Sequence, residues 1–158
     1  MSLLPLFEWC ENAGVGQAIR LSTWLFPVIE GVHLLGLCVI GGAVLLVDMR
    51  LLGLGLRRQP TAELARDTRP FLIGSLAVML VTGALLFSSE AVKCYYSFAF
   101  WFKMTCLLLA IIFTFTVRQW VTLAEDTRIG PIKGRLVALV SLALWSGVGW
   151  GGRWIGFS

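Results

Sequence analysis

The sequence predicts an all-α fold, a four-helix transmembrane bundle, and three observations predict it. The chain has 158 residues, 58% hydrophobic and 14% charged, where soluble domains are about 25% charged. Its mean hydropathy is +0.84. Four stretches reach the roughly 20 mostly apolar residues that a bilayer crossing requires. The length suits a single integral membrane domain over residues 1–158. The net charge of +4 and pI near 9.2 come with no long basic tract and no nucleic-acid motif. The expected partner is therefore the lipid bilayer and not nucleic acid.

The opening segment, Leu3 to Arg20, is too interrupted to cross. Leu3, Leu4, Leu6, Phe7 and Trp9 sit beside Glu8 and Glu11, and Gly14 and Gly16 break the run. It reads as a short N-terminal interfacial segment. It also lacks the basic start of a cleavable signal, which leaves targeting to the membrane helices. Spans are expected over about 22–47, 71–87, 98–117 and 136–157. Before the second, Thr61 to Arg69 reads as a short helical extension, with Thr61 as its cap and Pro70 opening the span.

Basic residues set the expected orientation. One loop carries Arg50, Arg57, Arg58, Arg66 and Arg69, and another carries Arg118, Arg128, Lys133 and Arg135. Outside the spans the opposite side has only Arg20 and Lys93. By the positive-inside rule both loops face the cytoplasm, so both termini lie on the outer side of the membrane. Asp48 and Arg50 read as helix-end anchors, with Arg69 or Arg118 as candidate partners.

Cys10, Cys38, Cys94 and Cys106 have no paired spacing, so no zinc or thioredoxin-like motif is expected. Cys38 and Cys106 read as small packing residues, and Cys10 and Cys94 share the outer side, where a disulfide is an option. Gly147 and Gly151, like Gly152 and Gly156, are spaced for close helix approach, and Gly36, Gly41 and Gly42 read the same way. That spacing makes a homo-oligomer an expectation. Trp145, Trp150 and Trp154 either fill the bundle or belt its outer interface.

Glu30, His33, Lys103 and Arg153 stand out, because charge inside a bilayer costs a few kcal/mol unless paired and marks functional sites. His33 is the only histidine. At 1.5 Å per residue, His33 lies roughly 22 Å from Asp48, and Lys103 lies roughly 22 Å from Arg118. Arg153 and Glu30 come to roughly 27 Å from Arg135 and Asp48, so all four fall in the outer half. Glu30 and His33 share a helix face at i and i+3, and a kink at Pro27 would free carbonyls nearby.

Two readings follow. In one, Glu30 pairs with Lys103 or Arg153 and the cluster locks helices or binds a small anion or lipid headgroup, as in a transport or assembly subunit. In the other, His33 ligates haem b, Lys103 and Arg153 hold its propionates, and Glu30 orients His33 or relays a proton. One histidine excludes a bis-histidine haem within one protomer. The further axial candidates are Met104 or Met79, an open position, or His33 of a second copy. Copper held by His33, Met104 and Cys106 is a less favoured option. No hydrolase, zinc-protease or phosphate-loop motif is present, so an electron-transfer or accessory subunit is expected before a stand-alone enzyme.

The run from Trp24 to Gly36, WLFPVIEGVHLLG, and the run from Val47 to Gly53, VDMRLLG, resemble a family of small bacterial inner-membrane proteins. That family is catalogued only as a domain of unknown function. Thr82 to Phe87, Phe102-Lys103-Met104 and Gly152 to Phe157 look similar to it as well. The resemblance spans nearly the whole chain and implies four membrane helices. Its matching positions include Glu30, His33, Asp48, Arg50, Lys103 and Arg153. There is a looser similarity to four-helix b-type cytochrome and copper-resistance membrane domains, which usually carry more histidines than this chain. The haem reading has the protein pass electrons, or sense a ligand, on the periplasmic side, with a periplasmic redox partner.

Overall fold

Apolar length dictates the architecture. The computed structural model describes residues 3–55, 58–124 and 130–156. Every regular element among them is helical: α1 (Leu4–Asn12), α2 (Gly14–Leu21), α3 (Leu25–Leu52), α4 (Thr61–Ser89), α5 (Ala91–Tyr96), α6 (Phe98–Phe113), α7 (Gln119–Leu123) and α8 (Pro131–Ile155). A π-helical turn, Thr114–Arg118, joins α6 to α7. Four helices are long and apolar enough to cross a membrane: α3, α4, the run Phe98–Leu123, and α8. The chain is accordingly a helical multi-pass membrane protein. Leu35, Val81, Leu108 and Leu139 face outward, which suits surroundings as apolar as the interior.

The helices are longer than the apolar windows on which the expected spans were drawn. Hydrogen bonding propagates past the last apolar residue until a stop signal, because each added residue gains a bond for one residue fixed. For α3 the stop is Gly53, left-handed at φ 77°, whose N–H meets the Arg50 carbonyl. Ser22 belongs to the entry and not the span: its hydroxyl accepts from the Leu25 N–H at 3.2 Å. Pro27 sits in the first turn, where a backbone N–H has no intrahelical acceptor to lose, so no kink is required there. Thr61 is the first residue of α4 with Pro60 as the cap, and Pro70 lies inside the helix and does not open it. The far end of the fourth expected span, Phe157, lies outside the described residues, as do Arg57 and Arg128.

α3 packs on α4 and α8, and α8 packs on α6. The core between them is Ile40, Val44, Leu76, Met79, Ala110, Trp145 and Val148. Small residues allow the close approaches. A side chain at Gly151 would reach Lys103 Cβ at 2.9 Å, and one at Gly147 would reach Cys106 Sγ at 3.0 Å. These two glycines thus serve the α6–α8 contact within the chain, and no longer argue for self-association. Gly36 meets Met79 of α4, whereas Gly41 and Gly42 have nothing within 4 Å. Trp145 is buried, while Trp150 and Trp154 point outward at 70% and 53% exposure.

The opening segment forms α1 and α2, which close one end of the bundle. Phe7 stacks edge-on against Phe87 and Tyr95, both at 5.2 Å. Glu11 accepts from the Val92 N–H at 2.7 Å and pairs with Arg20 at 2.7 Å, tying α1 to α2 and α5. Cys10 and Cys94 are free thiols, so no disulfide joins them. Cys38 is exposed, in contrast to the expectation of a packing residue inside the bundle.

Candidate functional site

A cavity of about 330 Å³ opens between α3, α4, α6 and α8 near that same end. Glu30, His33, Lys103 and Arg153 all line it, so the tertiary fold brings together the residues that depth alone had selected. Most of the remaining wall is apolar, with Leu34, Leu37, Leu86, Phe100 and Val148 among its residues. Glu90, Lys93 and Cys94 reach it from the α4–α5 corner. Met79 lines the cavity; Met104 and Cys106 do not. Met104 is 42% exposed on the outer surface of α6, as its turn of about 100° from Lys103 around the helix requires.

The histidine is held by a partner that sequence reasoning missed. His33 Nδ1 lies 2.8 Å from the Thr82 hydroxyl. That hydroxyl is 2.7 Å from the Val78 carbonyl, which can only accept. One hydroxyl proton serves both contacts only if Thr82 donates to Val78 and Nδ1–H donates to Thr82. In the neutral ring this arrangement puts the proton on Nδ1 and leaves a lone pair on Nε2. Gly83, the next residue, gives the ring room: a Cβ there would stand 3.4 Å from the imidazole. Thr82-Gly83 stood within one of the family-like runs, but nothing in the spacing linked them to a residue 49 positions earlier.

Lys103 lies along Gly152, where a Cβ would come 3.5 Å from Nζ. Among the described residues no ion pair joins Glu30 to Lys103 or Arg153, so the pairing expected in the structural reading is not made. Glu30 is exposed at the cavity edge. Burial, reinforced by the Glu90 carboxylate, pushes the Cys94 thiol up to about 11, so it sits in the cavity wall as a neutral group. Among the described residues no cluster of three or more His, Cys, Asp or Glu side chains could hold a metal ion.

A second polar centre lies toward the other end. Asp48, fully buried, accepts from Arg118 Nε at 2.9 Å, and Arg118 Nη2 donates to the Val44 carbonyl at 3.2 Å. Of the two candidate partners for Asp48, Arg118 is thus the one that reaches it. Arg50 instead donates to the Gln59 carbonyl at 2.8 Å, as a helix-end anchor does.

No curated protein and no solved structure matches the chain. A family model does, over residues 6–158, and it takes in the cavity, the Thr82–His33 pair and the Asp48–Arg118 pair alike. The chain belongs to that family, described as Family of unknown function (DUF6644).

Proposed function

We propose that the cavity around His33 holds a haem b group, making the protein an electron-transfer or ligand-sensing subunit of a bacterial inner membrane. The observation that carries the reading is the Thr82–His33 hydrogen bond. Metal-ligating histidines hold their second ring nitrogen in this way, which fixes the ring and leaves the other nitrogen its lone pair. The donor set fits: an imidazole Nε2, apolar walls, and the cations Lys103 and Arg153 on the same cavity. The volume stands near the lower end of the roughly 300–1,000 Å³ range of ligand pockets.

When bound, the group would supply a one-electron iron couple. His33 Nε2 would be its protein ligand, and Thr82 orients the ring, a task first assigned to Glu30. Lys103 and Arg153 would hold the propionates as charge-assisted pairs. Leu34, Leu37 and Phe100 exclude water from the ring. Glu30, at the edge, is placed to pass a proton between cavity and surface. The basic loops support an orientation with this cavity in the periplasmic half, with α1 and α2 on the outer interface and a periplasmic redox partner.

The test is the absorption spectrum of detergent-purified protein, oxidised and dithionite-reduced, for wild type and His33→Ala. The expected result is a Soret band that sharpens on reduction and is absent from His33→Ala. A featureless wild-type spectrum after haem-replete growth overturns the reading and leaves a cluster that binds an anion or locks the helices.

A further inference from the structure

A second cavity, of about 140 Å³, lies between the N-terminal part of α4 and the π-helical turn with α7. Arg66, Arg69 and Arg118 line it, and no carboxylate does. Glu63 and Asp67 lie on the same stretch of α4 but outside the lining. Arg66 and Arg69 form no ion pair among the described residues. Arg118 uses Nε on Asp48 and Nη2 on Val44, and its Nη1 donors have no acceptor among the described residues.

The π-helical turn adds a hydroxyl. Thr68 and Thr116 give their protons to the carbonyls four residues back, Leu64 and Ile112, at 2.9 and 2.6 Å. Thr114, at the start of the turn, does not; it accepts from Trp145 Nε1 at 3.2 Å. Its own proton has no acceptor among the described residues, and Thr114 lines the cavity. A π-turn disrupts the regular i→i−4 ladder, and such turns recur at functional sites. Asp48 meets the charge of Arg118, whereas Arg66 and Arg69 bring two like charges to one cavity, which repel one another unless an anion joins them. Guanidinium forks match phosphate oxygens in geometry as well as charge.

We propose that this cavity binds a phosphate group, carried either by an anionic phospholipid headgroup or by free phosphate. Its volume is below the roughly 300 Å³ at which pockets for larger ligands begin, so it takes one such group and no more. It lies at the end of the bundle that bears the basic loops, the level at which basic pockets between membrane helices meet headgroups. Asp48 holds the Arg118 guanidinium in place from behind, so Arg118 enters the site already oriented.

The test compares thermal unfolding of the full chain in nanodiscs of phosphatidylcholine, of phosphatidylcholine doped with phosphatidylglycerol, and of phosphatidylcholine with added inorganic phosphate. Variants are R66Q/R69Q, whose side chains are exposed, and K133Q/R135Q, which removes the same charge from the same end outside the cavity. Wild type is expected to gain stability from phosphatidylglycerol, phosphate or both. R66Q/R69Q should weaken the apparent affinity by roughly 30-fold, at about 1 kcal/mol for each arginine. K133Q/R135Q should leave it unchanged. A gain with phosphatidylglycerol alone assigns the group to a lipid, and a gain with inorganic phosphate assigns it to a free anion. No gain in either arm, or an equal loss in both variants, overturns the proposal.

Discussion

Asp48 with Arg118, and His33 with Lys103, face one physical problem, ionisable groups in an apolar medium, and meet it in opposite ways. Asp48 and Arg118 are almost wholly enclosed, and each charge is neutralised by the other at 2.9 Å. Val44 and Trp145–Thr114 complete that layer with further hydrogen bonds. Around His33 the groups border open volume, Glu30 pairs with neither cation, and the imidazole is oriented by Thr82 yet keeps one nitrogen open. A closed pair holds helices together, whereas an oriented but open group is equipped to bind. The difference separates structure from site more sharply than charge or depth does.

Breaking the closed pair should give the largest effect. Asp48→Ala leaves the Arg118 guanidinium buried without its counter-ion and should cost about 3–5 kcal/mol in reversible detergent unfolding. Asp48→Ala with Arg118→Leu should recover much of that loss, since an apolar replacement removes the orphan charge. A small loss in the single variant would place the pair in a wetter setting than its enclosure implies.

Gly151→Val tests the backbone approach that carries Lys103. With Lys103 Cβ only 2.9 Å from the added carbon, the helices must separate, and overpacking of this kind costs about 1–3 kcal/mol. The same unfolding assay reads it, and Gly41→Val, with nothing within 4 Å, should be nearly silent.

Thr82→Val keeps the shape and removes the hydroxyl. Stability should fall by only about 1 kcal/mol. The sharper readout is the nitrogen NMR spectrum of His33, which should change from a single Nδ1–H tautomer to a mixture. Loss of such an outer partner also lowers cofactor affinity by about 10–100-fold. An unchanged tautomer would remove the observation on which the haem reading stands.

The smallest effect is on the Cys94 thiol, which should leave stability at neutral pH untouched. With its pKa raised to about 11, the thiolate is scarce at pH 8, and it is the thiolate that reacts. Maleimide labelling of Cys94 should therefore rise about tenfold per pH unit until it levels off near 11. Glu90→Gln removes a repelling negative charge and should move that plateau to lower pH.

Apolar length and basic loops were enough to count the membrane helices and to pick Glu30, His33, Lys103 and Arg153, because hydropathy and helical rise are local properties. Helix ends were less legible: the stop at Gly53 and the passage of α4 through Pro70 depend on hydrogen bonds beyond the apolar windows. Thr82, Gly83 and Gly152 escaped notice as site residues because a threonine or glycine in an apolar run signals nothing until its neighbour across the bundle is known.

By itself, then, the sequence determined that this chain has helices able to cross a membrane and where along them it carries charge. Only the tertiary structure decided which charges are closed off and which remain open. Depth is measured along a single helix, whereas pairing depends on how helices rotate and approach one another. That rotation is set by where small residues such as Gly147 and Gly151 let two backbones meet.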